Sequence, residues 1–120
     1  MAHYVDGFVI PVPKRNLDAY GRMARKAAKV WIDHGALEVR ECVEDDVPKG
    51  KLTSFPRAVQ VKRGEVVVFS WITYKSRAQR DRINKKVMDD PRLADMMDSK
   101  ENPFDAARMI FGGFKTVVEA

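Results

Sequence analysis

At 120 residues, with 45% apolar and 32% charged residues, the chain has the composition of one globular domain spanning 1–120, large enough to form a core without disulfides or a structural metal. No apolar run approaches the roughly 18–20 residues that cross a bilayer, and the start lacks the basic-then-apolar pattern of a secretory signal, so neither a membrane span nor export is expected. Cys42 stands alone and has no disulfide partner within the chain, which fits a reducing, cytoplasmic setting. The net charge of +5 is uneven: the stretches Lys14–His34 and Lys75–Lys100 are basic, and Glu38, Glu41, Glu44, Asp45 and Asp46 make the segment between them acidic. Solvated helix faces account for such a pattern more simply than a polyanion partner does.

His3 to Val12 has the alternation of a strand, with Tyr4, Phe8 and Ile10 on one face and Val5 and Val9 on the other; Pro11 and Pro13 are expected to end it. From about Lys14 to His34, Leu17, Tyr20, Ala24, Ala27, Ala28 and Trp31 recur at helical spacing, opposite Asp18, Arg22, Arg25, Lys29 and Asp33. Gly35 stands where a left-handed residue closes a helix. Ala36 to Asp46 alternates as a half-exposed strand, and Val47 to Lys62 is mostly loop, with a short strand or turn near Arg57–Val61. Glu65 to Tyr74 is a ten-residue strand that is apolar on both faces: Val66, Val68, Ile72 and Tyr74 on one, Val67, Phe69 and Trp71 on the other. Ser76 and Gln79 form a capping-box pair opening a second helix edged by Ile83, Val87 and Met88. Pro91 interrupts it, and Leu93, Met96 and Met97 predict a short further helix. Arg108 to Glu119 closes the chain as a strand, with a bulge expected at Gly112 and Gly113.

The order is β-α-β-β-α-β, an α+β ferredoxin-like protomer with a four-stranded antiparallel sheet. In that arrangement both helices cover one face. Aromatics bury about 150–250 Å² each, so leaving Phe69, Trp71 and their neighbours uncovered would exceed the few hundred Å² a monomer normally exposes. A homodimer with two sheets face to face meets the requirement.

RGEVVVFSWITYKSRAQRDRINKKVMDDPRL (63–93), FPRAV (55–59) and RMIFGGFK (108–115) resemble the YbaA-like family, uncharacterised bacterial proteins of about this length, over essentially the whole chain. The resemblance implies membership of the dimeric α/β-barrel superfamily, with ferredoxin-like protomers paired sheet against sheet, and implies no particular activity. Other branches of that superfamily include cofactor-free monooxygenases, haem-degrading enzymes and lactone isomerases, with the ligand in a cleft between sheet and helices. The haem-degrading branch uses a polar residue on the first strand, a Trp on the third and a His on the second helix. Asp6 and Trp71 match the first two, but the second helix here has no histidine, which removes the axial ligand.

Asp6, set in the apolar run HYVDGFVI, is the first candidate for a catalytic group: a carboxylate buried there has its pKa raised and can act as a general base. An arginine partner or a solvated strand end is the plainer role. His34, on the stripe of Trp31, is a candidate proton carrier, though a helix C-terminus favours histidine for its own sake. Tyr4, Tyr20, Trp31, Trp71 and Tyr74 are candidates to line a ligand pocket, although core, or for Trp71 a dimer interface, is the plainer role. Arg57, in the middle loop, is a candidate clamp for an anionic ligand. Arg77, Arg80 and Arg82 fit a helix surface salt-bridged to Asp81, Asp89 and Asp90. Cys42 beside Glu41 and Glu44 is a poor nucleophile.

Walker, GxGxxG, HExxH and CxxC motifs are absent, and two distant histidines with one cysteine make a zinc site improbable, so no cofactor or metal is expected. Arg63-Gly64 before a strand has a faint RNA-recognition character, but Glu65 and Val67 stand where stacking aromatics belong, which disfavours nucleic acid. The expectation is a small organic molecule held between sheet and helices, with Asp6 as polar anchor, Trp31 and His34 nearby, and cofactor-independent oxygenation or isomerisation as the chemistry suggested by analogy. The alternative is a non-catalytic protein whose basic helix faces meet a polyanion or a protein partner.

Overall fold

The structure, a computed structural model, describes residues 2–97 and 102–120, with the side chain of Met97 excepted. Strand β1 (Tyr4–Pro13) leads through a 3-10 turn at Lys14–Asn16 into helix α1 (Leu17–Asp33), followed by β2 (Glu38–Val43), the short helix α2 (Phe55–Ala58) and β3 (Glu65–Tyr74). Helices α3 (Arg77–Met88) and α4 (Pro91–Met97) precede a 3-10 turn at Ala106–Arg108 and strand β4 (Ile110–Lys115). The four strands form one antiparallel sheet in the order β2-β3-β1-β4, the ferredoxin-like arrangement, with the two longest strands in the middle. Among the described residues no helix is long and apolar enough to cross a membrane.

Period-2 alternation assigns each strand residue to a face. Ile10, Val12, Val68, Ile72 and Tyr74 are buried beneath Tyr20, Ala24 and Val30 of α1, Ile83 and Val87 of α3, and Leu93 of α4. Gly35, at φ +113°, closes α1 as its position predicts, and the Ser76 hydroxyl accepts from the Gln79 N–H at 3.1 Å to open α3.

β1 ends within a residue of expectation, at Pro13, and Pro11 is tolerated within it because β4 pairs only with Tyr4–Val9 and beyond that point one edge of β1 is free, so no partner needs a proline N–H there. Two expectations change. No bulge occurs at Gly112 and Gly113: the β1–β4 register is continuous from Tyr4↔Lys115 to Val9↔Ile110. β4 ends at Lys115 rather than Glu119, where β1 supplies no further partner, and Val117 and Val118 lie exposed. Of the short strand or turn expected near Arg57–Val61, the turn is present, led in by a capped turn of helix: the Ser54 hydroxyl accepts from the Arg57 N–H, and Pro56 occupies the first turn, where a missing N–H costs nothing. The side chain of Met97, counted on the apolar edge of α4, lies outside the described residues.

That middle segment also covers part of the second sheet face, since Val59, 1% exposed, packs on Val9 and Val67. The rest of the face stays open, with Phe69 41%, Ile110 44% and Phe114 64% exposed.

The end of the sheet near Glu65 is tied by ion pairing. Arg108 meets both carboxylate oxygens of Glu65, at 2.7 and 2.6 Å, and also donates to Asp105 and to the Gln60 carbonyl. Hydrogen bonds from Arg108 hold the Glu65 pKa below its ordinary value. A carboxyl group whose pKa is depressed on folding adds stability above its unfolded pKa and loses it as the pH falls through the folded one. Glu65→Gln is therefore expected to lower the melting temperature at pH 7. The gap from the native protein should narrow as the pH drops below the ordinary glutamate value of about 4.3. Thermal unfolding followed by circular dichroism over a pH series checks this, and a gap independent of pH contradicts it.

Candidate functional site

Asp6 sits mid-strand on β1, opposite Ile72 of β3 and Gly113 of β4, and its side chain points under the helices. It is 8% exposed, and among the described residues it and Ser70 are the polar residues buried in the core. Arg80, from the first turns of α3, reaches down to it, placing Nε 3.4 Å from the Asp6 Oδ1. The same guanidinium donates to the Tyr4 hydroxyl at 3.0 Å, lies 5.0 Å from the centre of the Tyr4 ring, and approaches Asp81 at 3.3 Å. Burial works against the Arg80 charge, but the Tyr4 hydrogen bond and the Asp6 carboxylate outweigh it, so its pKa rises. The Arg80 Nε is nonetheless buried without a hydrogen-bond partner: the Asp6 contact supplies charge but not hydrogen-bond geometry.

Arg80 has room because Gly113 has no side chain. A Cβ there would collide with the Tyr4 hydroxyl and the Arg80 guanidinium. On the other side of Asp6 stands Tyr74, fully buried, whose hydroxyl donates to the Asn84 Oδ1 at 3.2 Å; the Trp31 indole N–H donates to the same oxygen at 3.0 Å. Two donors on one atom fix the orientation of the Asn84 amide. Burial, and then the Asp6 carboxylate, push the Tyr74 pKa well above the ordinary tyrosine range, so this hydroxyl remains a donor. The cluster thus offers one carboxylate acceptor, one cation with an unused N–H, and hydroxyl donors, between the sheet and α3.

The structure gathers Asp6 and Tyr4 on Arg80, and beside them Trp31 and Tyr74 on Asn84. Trp71 pairs with Gly7 and lies on the opposite, open face of the sheet. His34 caps α1 with Nε2 2.8 Å from the Asp90 Oδ2, and Asp90 is bound in turn by Arg92, which also reaches Asp33. Arg92 first, and then His34, hold the Asp90 carboxyl far below the carboxylate range. Arg57 spends its guanidinium on the carbonyls of Lys49 and Gly50, folding the loop before α2. Arg77 and Arg80 both pair with Asp81 as expected, but Arg80 also turns inward to the sheet. Asn84 and Gly113 are members of the cluster that periodicity alone does not single out.

Three further features have chemical character. The Tyr20 hydroxyl donates to Glu41 at 2.7 Å under α1, where burial pushes the Glu41 pKa up. A groove of about 920 Å³ beside α1 is lined by Arg22, Lys26, Lys29 and Arg92. The open sheet face holds an apolar hollow of about 570 Å³ floored by Gly7 and Gly112 and walled by Phe69, Trp71, Ile110 and Phe114. Among the described residues no group of three or more His, Cys, Asp or Glu could hold a metal ion.

Comparison with known proteins agrees with this architecture. The family described as "protein of unknown function (DUF1428)" matches residues 3–106. The uncharacterized protein YbaA of Escherichia coli K12 is 49% identical over 116 residues, covering 97% of both chains, and the protein of that name from Shigella flexneri matches equally. Among solved structures, a dimeric ferredoxin-like protein from an uncultured marine organism superposes with a TM-score of 0.61 over the full length of both chains at 13% identity, a likeness of fold.

The Gly113 geometry makes a test by double-mutant cycle. Gly113→Ala pushes on the ends of Arg80 and Tyr4, so it should cost the charged hydrogen bond between them, about 1.5–3 kcal/mol, besides the displacement of the Tyr4 ring. In an Arg80→Ala background the hydrogen-bond part of the cost should vanish and the smaller Tyr4 part remain. Gly112→Ala, whose added Cβ would sit at an ordinary 3.7 Å from the Phe114 ring, is the control. Urea unfolding of the set measures it, and equal cost in both backgrounds refutes the close packing.

Proposed function

The chain belongs to the DUF1428 family of proteins of unknown function, and from that premise we propose that it is a homodimeric small-molecule-binding protein whose ligand is held at the Asp6–Arg80 cluster between sheet and α3. The observation that carries this reading is the unpaired Arg80 Nε. A buried N–H without an acceptor costs about 1–3 kcal/mol, and native structures rarely leave one without a role. A ligand oxygen meeting that N–H would remove the cost and lie within reach of the Asp6 carboxylate. Homodimer formation is supported separately by the uncovered aromatic face and by the ferredoxin-like neighbour, which is described as dimeric.

The chemistry suited to this cluster is proton movement on a carbonyl compound. Asp6 takes a proton from a carbon beside the carbonyl, Arg80 meets the negative charge that develops on oxygen, and returning the proton at another carbon completes an isomerisation. The basic groove beside α1 supports a polyanion partner less well. Lys29 already pairs with Asp33 at 3.3 Å, and Arg92 is held by Asp33 and Asp90 at 2.7 and 2.9 Å.

Native mass spectrometry of the protein taken from cells in gentle buffer is expected to give a dimer carrying a discrete small-molecule mass. Asp6→Asn should remain dimeric and lose that mass. The same added mass on both proteins, or none on either, contradicts the assignment of the ligand to Asp6.

A further inference from the structure

On the helix-covered side of the sheet, alternation along β4 sets Phe111, Gly113 and Lys115 beside Phe8, Asp6 and Tyr4 of β1. The β1 residues of that side are buried or half-buried, whereas Phe111 is 72% exposed. Its ring stacks on that of Phe8, with centres 6.3 Å apart and planes inclined by 24°, and Phe8 in turn packs against both core clusters beneath the helices. Phe111 is thus an aromatic shelf, held from one side by the core and bare to water on the rest. Gly113, the next residue along that side of β4, is also exposed, and the Tyr4 hydroxyl and the Arg80 guanidinium lie directly over it, where a Cβ would collide with them. With no side chain at Gly113, the Asp6–Arg80 cluster opens to solvent at the β4 edge, beside the shelf. The aromatic surface that a second copy would cover is the other side of the sheet, so dimerisation leaves Phe111 bare.

We infer that the ligand of this cluster is an aromatic keto acid, entering over Gly113 with its ring on Phe111 and its oxygens at the Arg80 guanidinium. The inference rests on the small-molecule reading above and names the class of compound. Neighbours on one side of a strand lie roughly 6–7 Å apart, close to the span from a ring to the oxygens of a short keto-acid side chain. A ring is selected because aromatic faces attract an offset ring beyond the area they bury, and because Phe111 is already set in place by Phe8. The cation is arranged for rings as well, since the Arg80 guanidinium lies 5.0 Å from the centre of the Tyr4 ring. An acid is selected because a guanidinium offers only donors, and because Lys115, on the same side of β4 just past Gly113, adds a second positive charge at the mouth. A saturated chain of the same length would gain apolar area on Phe111 and nothing more.

Titration calorimetry with phenylpyruvate and with its saturated counterpart, cyclohexylpyruvate, tests this. The native protein is expected to bind phenylpyruvate the more tightly. Phe111→Leu should weaken phenylpyruvate about threefold to tenfold, the worth of a ring-on-ring contact, and the saturated compound far less. Phe111→Tyr keeps a ring and should bind as the native protein does, an outcome that separates the shelf from any effect on folding. Arg80→Ala should abolish binding of both compounds. Equal affinity for the two compounds, untouched by Phe111→Leu but lost in Arg80→Ala, would overturn the aromatic class and leave the site where it is. Binding that survives Arg80→Ala would overturn the class and the site together. Failure of phenylpyruvate to bind the native protein would overturn the class, and the mass carried by native protein and Asp6→Asn then decides the site on its own.

Discussion

A sheet whose central strands are apolar on both sides cannot be satisfied by helices on one side. β1 and β3 pair over ten residues, and their side chains are large and apolar above and below: Ile10, Val12, Val68 and Ile72 toward the helices, and Val5, Val9, Val67, Phe69 and Trp71 away from them. Helices α1, α3 and α4 bury the first set. The chain answers the second only in part, by folding the segment around α2 so that Val59 covers Val9 and Val67. What remains uncovered sets the quaternary requirement. Phe69, Ile110 and Phe114 there are 41%, 44% and 64% exposed, a contiguous apolar group of the kind found at interaction surfaces.

The helix-covered face carries the opposite anomaly, a charge in an apolar layer. Burying an ion pair such as Asp6–Arg80 brings little net stability, because desolvating both ions offsets much of their attraction, and here the pair lacks good hydrogen-bond geometry. Apolar residues of similar volume would hold this part of the fold at least as well. The surroundings are nonetheless shaped for the pair: Gly113 clears space for Arg80, Tyr4 both stacks with it and accepts from it, and Tyr74 stands protonated beside the carboxylate. The pair is therefore held by the whole cluster around it rather than by the attraction of its two charges alone.

Much of this architecture is visible in the residues themselves. β3 runs over the ten residues its two-sided apolarity marks out, Gly35 closes α1, and Ser76 opens α3, because each signal is local and chemical. The differences arise where a residue's role depends on what another part of the chain does. Pro11 and Pro13 mark the end of β1 as expected, though only the pairing shows why Pro11 is tolerated inside it: β4 stops short and leaves that edge free. Gly112 and Gly113 look like a bulge, yet each is small for a different neighbour: one floors the open hollow, the other makes way for Arg80. Asp6 stands out because a carboxylate interrupts an apolar run. Arg80 and Asn84 look like any polar residues on a charged helix, and only the packing of α3 over β1 turns them inward. The Glu65–Arg108 pair joins residues 43 apart in sequence, and neither signals the other.

The central claim, that a second copy covers the open sheet face, is tested most directly by sedimentation equilibrium of the native protein at micromolar concentration. The expected result is a single species of twice the 13.7 kDa chain mass, unchanged by moderate salt because the surface is apolar. A 13.7 kDa monomer across the same concentrations would contradict the account, because the aromatic face would then be stable in water without a partner.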